Sequence, residues 1–435
     1  MVLHMAIPTT LIGFIKSRIT DFNPPSPLPG ALPDRSENLV PCALFLQGIL
    51  ALSPVLPVLG IRGTAIYFVV YLITAYELIF NNKTLPLVSI YLCAAVFIGA
   101  CLAGLHWNSP KTAFVSLFFI GSILITSIAD RDAVNRFITI STYFFMVILA
   151  LCWIGFFYTL HGGKGLFSIS NYDGRENIFY LTTFSNYVVA NTIRPSGIFD
   201  EPGALSFLVC ALATLRVIYK RNILVSIVML QLGTVVFGFT HYLFFIAFIL
   251  FLNNKSLKFK AGLLLAIFAV NVIEYLFLKD AIDILFMWKF NYHPETKTIS
   301  GDNRSSQVLL ARSVLSLSTF LWGLDSTAIM DIIAFKKKFT GMSENPLGPL
   351  VTTGIFVSFP YYYILTSYFG KGICSKEHRI FLAVVLLFLP RPFITGYGYS
   401  VLAMLLFLSL DAQYLHKTYR PAPAPAPSAP HLFQK

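Results

Sequence analysis

Long apolar runs alternate with short polar ones along this chain, and the run lengths decide its fold class. A helix needs about 20 apolar residues to cross the hydrocarbon core of a bilayer. Runs of that order occupy residues 39–59, 63–80, 85–105, 113–129, 137–160, 203–219, 223–252, 261–278, 350–369, 380–390 and 393–410. The run 223–252 is long for one span and is interrupted by Gly233, Gly238 and His241. Lys220 and Arg221 flank one end of it, and Lys255, Lys258 and Lys260 the other. Basic residues favour the cytoplasmic side, so both ends face inward and the run reads as a tight hairpin of two short spans. The pattern predicts an all-α polytopic membrane protein of about twelve transmembrane helices, eleven if 223–252 is one span.

The other cations orient this bundle. Lys83, Arg131, Arg136, Lys371, Lys376, Arg379, Lys417 and Arg420 all fall on the side of Lys220, which makes both termini cytoplasmic. Two long loops, about 161–202 and 279–349, then lie on the far side and are expected to contain short amphipathic helices. The predicted organisation is a cytoplasmic or interfacial segment 1–38, one transmembrane domain 39–411, and an extended Ala/Pro-rich cytoplasmic tail 412–435. Residues 7–15 do not read as a secretory signal, because the run is short and is followed by Lys16 and Arg18 instead of small residues. No internal repeat of the kind that marks many transporters is evident.

Composition agrees with this reading. Hydrophobic residues make up 56% of the 435 and charged residues 12%, about half the quarter typical of a soluble domain, and mean hydropathy is +0.72. The net charge of +12 follows the inner membrane face and does not point to nucleic acid. Cys42, Cys93, Cys101, Cys152, Cys210 and Cys374 sit in or beside apolar runs, as small core residues rather than disulfides or metal ligands.

Candidate chemistry gathers where polar segments meet the membrane edge, since ionisable groups are costly there. Arg194 to Leu208 carries an arginine, the acids Asp200 and Glu201, and Gly197 straight into a span. Asp200-Glu201-Pro202 is equally the signature of a helix N-terminus, and Arg194 could anchor a headgroup by snorkelling. The second loop holds a polar stretch with Asn303 and Arg304, readable also as a solvated turn, before a candidate helix reaching Leu321. At helical spacing Ser305, Arg312, Ser316, Thr319 and Gly323 share one face and Leu310, Val314, Leu317 and Leu321 another, so Arg312 and Gly323 are expected to stack along one interfacial stripe. Its alternative is a surface helix whose arginine touches only lipid headgroups. His241, His293 and Glu344 are rival bases. Asp130 and Asp132 resemble a metal-binding acid pair, but they sit beside Arg131 and Arg136 in a short cytoplasmic turn, and no metal is expected.

The order of these pieces resembles the O-antigen polymerase family. Arg194, Gly197, Phe199, Glu201 and Pro202 form an R-x-x-G-x-F-x-E-P element ahead of a span. Arg312 and Gly323 form an arginine-to-glycine pair with ten residues between them, and Asn345-Pro-Leu followed by Gly354-Ile355 forms the seam where the second loop re-enters the membrane. Two features depart from the pattern: the first loop lacks an arginine-to-glycine pair at that spacing, and His241 stands where relatives often carry Ser-Arg.

The resemblance implies a glycosyltransferase of the bacterial inner membrane that joins undecaprenyl-diphosphate-linked oligosaccharide repeat units on the periplasmic face, without cofactor. Its partners are the donor and acceptor lipids and the surrounding membrane, with room for a chain-length regulator and a flippase. Arginine forks bind a diphosphate bidentately, which suits Arg194, Arg304 and Arg312. Glu201 is expected to accept or hold the acceptor hydroxyl proton, and Asn303, Gly197, Asp200, Gly323, Asn345 and His241 to line the substrate site. The alternatives are an O-antigen ligase delivering glycan to lipid A core, and a flippase for the same lipid. Ser343 and Glu344 occupy the place where such ligases usually show a histidine, and charges deep in several spans, expected of a flippase, are few.

Overall fold

The computed structural model describes residues 38–60, 63–107, 110–170, 175–190, 192–253, 255–293, 298–299, 303–324, 345–392 and 398–410. Ser300, Ser343, Glu344, Lys417, Arg420 and nearly all of the segment 1–38 lie outside them. Nearly all the described residues belong to one compact unit within Val40–Lys435, which is mainly helical.

Its long helices follow the apolar runs. They are α1 (Leu39–Gly48), α2 (Gly63–Phe80), α3 (Leu87–His106), α4 (Pro110–Ile128), α5 (Arg131–Leu160), α6 (Pro202–Ile218), α7 (Ile223–Leu232), α8 (Phe239–Leu250) and α9 (Leu257–Leu285). In the second loop come α10 (Asn303–Ser313) and α11 (Leu317–Trp322), then α12 (Gly348–Cys374), α13 (Ile380–Phe388) and α14 (Tyr399–Leu408). Among the described residues, α3, α5 and α9 are long and apolar enough to cross a membrane by length and composition.

Where helix and apolar run differ, local chemistry explains it. The run 39–59 does not stay helical: after Gly48 it passes through a 3-10 turn, Leu50–Leu52, and one α-turn, Val55–Val58, around Pro54 and Pro57. Proline removes an amide donor and clashes with the preceding turn. α5 begins earlier than the run, because Asp130 accepts a hydrogen bond from Ala133 N at 2.8 Å and caps it. α9 kinks at Leu278, where the run ends, and continues for two further turns.

The first long loop departs from the all-α expectation. It contains strands instead of short amphipathic helices: β1 (Phe167–Ser170), β2 (Glu176–Tyr180) and β3 (Thr183–Ser185) form an antiparallel sheet in that order, and β4 (Val188–Val189) pairs with β5 (Thr192–Ile193). Phe167, Phe179 and Phe184 meet on one face, with ring centroids 4.9 and 4.8 Å apart along the row. Cross-strand aromatic pairs of this kind stabilise small sheets.

The core centres on α6. Its sequence is apolar on every side, and a helix of that pattern is buried all round; nearly every residue from Pro202 to Arg216 is. Phe207 stands edge-on to Phe388 of α13 at 5.0 Å and to Tyr399 of α14 at 4.8 Å. α9, by contrast, buries only Ala281 and Leu285 and exposes Leu265, Phe268, Leu276 and Phe277.

Contacts sort the helix ends into two sets. In the first, Lys83 after α2 pairs with Asp130 before α5 at 2.9 Å. Arg216 near the end of α6 donates to Asn222 O before α7 at 3.2 Å, Arg221 donates to Asn135 O on α5 at 3.2 Å, and Asn253 after α8 donates to Glu377 O between α12 and α13. In the second, Ser53 after α1 donates to Ile198 O before α6 at 2.7 Å, and Trp107 after α3 donates to Trp322 O at 3.0 Å. Arg194 reaches Val236 O between α7 and α8 at 2.9 Å, and Arg391 after α13 pairs with Glu201 before α6.

Candidate functional site

The second set of ends holds the chemistry, and each residue of the R-x-x-G-x-F-x-E-P element has a distinct physical job there. Arg194, just after β5, is fastened by its own backbone: its N–H donates to Tyr187 O at 3.1 Å, and its carbonyl accepts from the Ser185 hydroxyl at 2.8 Å. Its side chain gives Nε to Val236 O and lies over the Tyr187 ring at 5.0 Å. Burial lowers its pKa to about 10, still fully charged at neutrality. Gly197 adopts φ +66, and a Cβ there would come within 2.6 Å of the Ile148 side chain. Its N–H donates to the Thr183 hydroxyl at 2.9 Å, closing the loop onto β3. Phe199 is fully buried and stacks on Phe145 of α5 at 5.9 Å. Pro202 takes the first turn of α6, where a missing N–H costs nothing.

Glu201 is the N-cap residue of α6, yet its carboxylate makes no capping bond. It reaches instead to Arg391, and on the other side to Arg175 at 3.6 Å. The Arg391 and Glu201 side chains are only 12% and 16% exposed, so the pair is held largely away from water, while Arg175 is half exposed. Arg391 also approaches the Tyr399 hydroxyl at 3.4 Å. Gly203 makes room for it, since a methyl group at that position would collide with the guanidinium. Asp200 is placed by its backbone, its carbonyl accepting from Asn186 Nδ2 at 2.8 Å. Three arginines, 175, 194 and 391, thus lie in electrostatic reach of one carboxylate.

Burial raises the pKa of Glu201, but Arg391 first and Arg175 second outweigh it, and the net shift is downward from 4.5. A carboxylate held ionised in this way is a weak proton acceptor, so the arrangement favours Glu201 as the holder of the arginines over Glu201 as a general base. The direction fixes the pH window. A group whose pKa is depressed on folding stabilises the fold above its unfolded value and loses that contribution as pH falls through its folded one. Glu201→Gln should therefore lower the melting temperature near neutrality, and the gap to the parent should close in acid below 4.5. A gap unchanged down to that range would show that the pair adds nothing to stability.

The second-loop candidates are placed differently. α10 and α11 are separate helices: α10 ends at Ser313, and Ser316 caps α11 by accepting from Thr319 N at 3.1 Å. The single stripe expected to carry both Arg312 and Gly323 is therefore broken. Arg312 is exposed, and among the described residues no hydrogen bond or ion pair joins it to the Glu201 cluster. Asn303 and Arg304 open α10. Gly323 ends α11 with φ +79, and a Cβ on it would meet Gly354 N and Thr352 O at 2.8 Å. Gly354 itself has φ +70 inside α12. These two glycines pack backbone to backbone and dock the second loop on α12, with Leu324 N donating to Val351 O at 2.8 Å. Asn345 is buried and closes the turn ahead of α12, its Oδ1 accepting from Leu347 N at 2.9 Å.

His241 belongs to the helix packing. It is fully buried on α8, with Nδ1 3.1 Å from the Ser206 hydroxyl and Nε2 2.8 Å from Leu230 O. Both ring nitrogens are occupied in tying the α7 and α8 halves to α6. Arg216 is likewise taken up by Thr142 at 2.7 Å and Ser226 at 3.2 Å, and Glu274 accepts from Gln231 at 3.1 Å. Asp130 serves as helix cap and partner of Lys83. Among the described residues no group of three or more His, Cys, Asp or Glu side chains could hold a metal ion.

The sequence pattern left two arginines around Glu201 unmarked, Arg175 in the first loop and Arg391. Arg391 sits in the two-residue link between the apolar runs 380–390 and 393–410. A single cation in so short a link between two apolar runs was the available signal. No family model, curated protein or solved structure matches the chain, so the likeness to O-antigen polymerases stands on the sequence motifs alone.

Proposed function

We propose that the chain is a polymerase that transfers a growing glycan from undecaprenyl diphosphate to a fresh lipid-linked repeat unit, with the Arg175, Arg194 and Arg391 cluster binding the diphosphate. The observation that carries this reading is the pairing of Arg391 and Arg175 with Glu201, with Arg194 in electrostatic reach, at the start of the largely buried α6. A polyprenyl diphosphate gains charge as the glycosidic bond breaks, and fixed arginine donors stabilise such charge without reorganising. Glu201 keeps the guanidinium groups paired until the phosphate oxygens replace it.

The reading includes twelve passes with both termini cytoplasmic and both long loops periplasmic. Support comes from the alternation of the two sets of helix ends along the chain and from the cations Lys83, Arg216, Lys220 and Arg221 at the first set. The α7 to α8 segment is then a hairpin, because Asn222 and Asn253 fall in the first set and Val236 in the second.

Purified chain in liposomes, given only undecaprenyl-diphosphate-linked repeat unit, should produce a ladder of lipid-linked polymer. Product that forms only after lipid A core is added would favour the ligase alternative. Transbilayer movement of unpolymerised lipid without any ladder would favour the flippase.

A further inference from the structure

A second charged cluster lies at the first set of helix ends, remote from Glu201 in the fold. Between the turn that joins α8 to α9 and the turn that joins α12 to α13 is a cavity of about 200 Å³, lined by Asn253, Lys255, Lys260, Lys376, Glu377 and Arg379 together with Leu252. A liquid water occupies roughly 30 Å³, so the space is ample for a phosphate group. Four cations face one carboxylate there.

The walls are fixed without a ligand. The Asn253 amide donates to Glu377 O and ties the two turns together, and the Lys260 ammonium donates to Leu250 O at 2.7 Å, across the end of α8. Lys255 lies over the Phe259 ring at 5.4 Å. Leu250 and Phe259, which these two lysines contact, and Leu257 between the lysines in sequence are exposed, at 46%, 43% and 79%. A polar cation-lined cavity bordered by exposed apolar side chains at helix ends suits an amphiphile with an anionic head.

We propose that this cavity binds the phosphate of an anionic phospholipid, with its acyl chains along Leu250, Leu257 and Phe259. Its assignment to the cytoplasmic leaflet rests on the topology proposed above; the binding chemistry does not. A polybasic site gains roughly fivefold in affinity per Lys or Arg beside an anionic membrane, and the gain shrinks as salt rises.

The test is native mass spectrometry of the full chain released from phosphatidylcholine nanodiscs doped with phosphatidylglycerol. The parent should retain phosphatidylglycerol in preference to phosphatidylcholine. The combined substitution Lys255→Gln, Lys376→Gln and Arg379→Gln should reduce retention about a hundredfold, while Lys164→Gln, at the other set of helix ends, should leave it unchanged. Lys255→Arg with Lys376→Arg should preserve binding, which separates loss of charge from loss of fold. A parallel titration with inorganic phosphate identifies the source: weak or absent competition supports the lipid, and displacement of the lipid at equal concentration would replace it with a soluble phosphate compound. Retention in the glutamine variant equal to the parent's would overturn the proposal.

Discussion

Arg391→Ala is expected to abolish polymer formation and to lower the melting temperature of the chain. The substitution leaves Glu201, a carboxylate 16% exposed, with the half-exposed Arg175 at 3.6 Å as its remaining ion-pair partner and Arg194 in electrostatic reach. Removing one partner of a largely buried ion pair costs about 3–5 kcal/mol, mostly through the uncompensated charge left behind. Stability and chemistry can be separated, because Arg391→Ala combined with Glu201→Gln removes both charges together. The double variant should recover most of the lost melting temperature and none of the activity, since the diphosphate still lacks its donor. Recovery of polymer in the double variant would show that Arg391 serves only to neutralise Glu201.

Substitution at the glycine seam should be comparably severe for a different reason. Gly354→Val places a branched side chain at φ +70, where its Cβ would run into Leu321 O and the Trp322 carbonyl carbon at 2.5 Å. The left-handed region alone costs an L-residue about 1–2 kcal/mol, and the obstacles are backbone atoms that cannot rotate away. The second loop must therefore separate from α12, which breaks the Leu324 to Val351 hydrogen bond and exposes the small cluster of Leu310, Ala311 and Val351. Limited proteolysis within α10 or α11 should accelerate strongly, while the helices around α6 keep their protection. Unchanged cleavage would mean that the seam does not hold the loop.

Run length and charge made much of the helical fold legible, because apolar runs in a membrane protein must satisfy their own backbone and so become helices. The expectation of short helices in the first loop was not met, since its described residues hold strands. Phe167-Ser-Ile-Ser alternates with the period of a strand, but it is four residues long, and Asn177-Ile-Phe-Tyr does not alternate, so neither outweighs a helical expectation. Within the candidate site, the motif put Arg194 and Glu201 in the segment leading into α6, whereas the nearer ion-pair partner of Glu201, Arg391, lies 190 residues further along the chain. Pairings of that range depend on how α6 and α13 cross, which local patterns do not encode. The helical wheel drawn through Arg312 and Gly323 failed for a local reason: Ser316 offers its hydroxyl to Thr319 N and starts a new helix. The resemblance put Gly323 in the substrate site, whereas in the fold it packs against the backbone of Gly354.

The central claim is that the Arg175, Arg194 and Arg391 cluster grips a lipid diphosphate, and direct binding tests it most closely. Farnesyl diphosphate, a short polyprenyl diphosphate, can be titrated into the purified chain in detergent and compared across the parent, Arg175→Ala and Arg194→Ala. Charge-assisted hydrogen bonds contribute about 1.5–3 kcal/mol each, so saturable binding to the parent should weaken roughly tenfold to a hundredfold in either variant. Equal affinity in all three proteins, or no saturable binding to the parent, would contradict the claim.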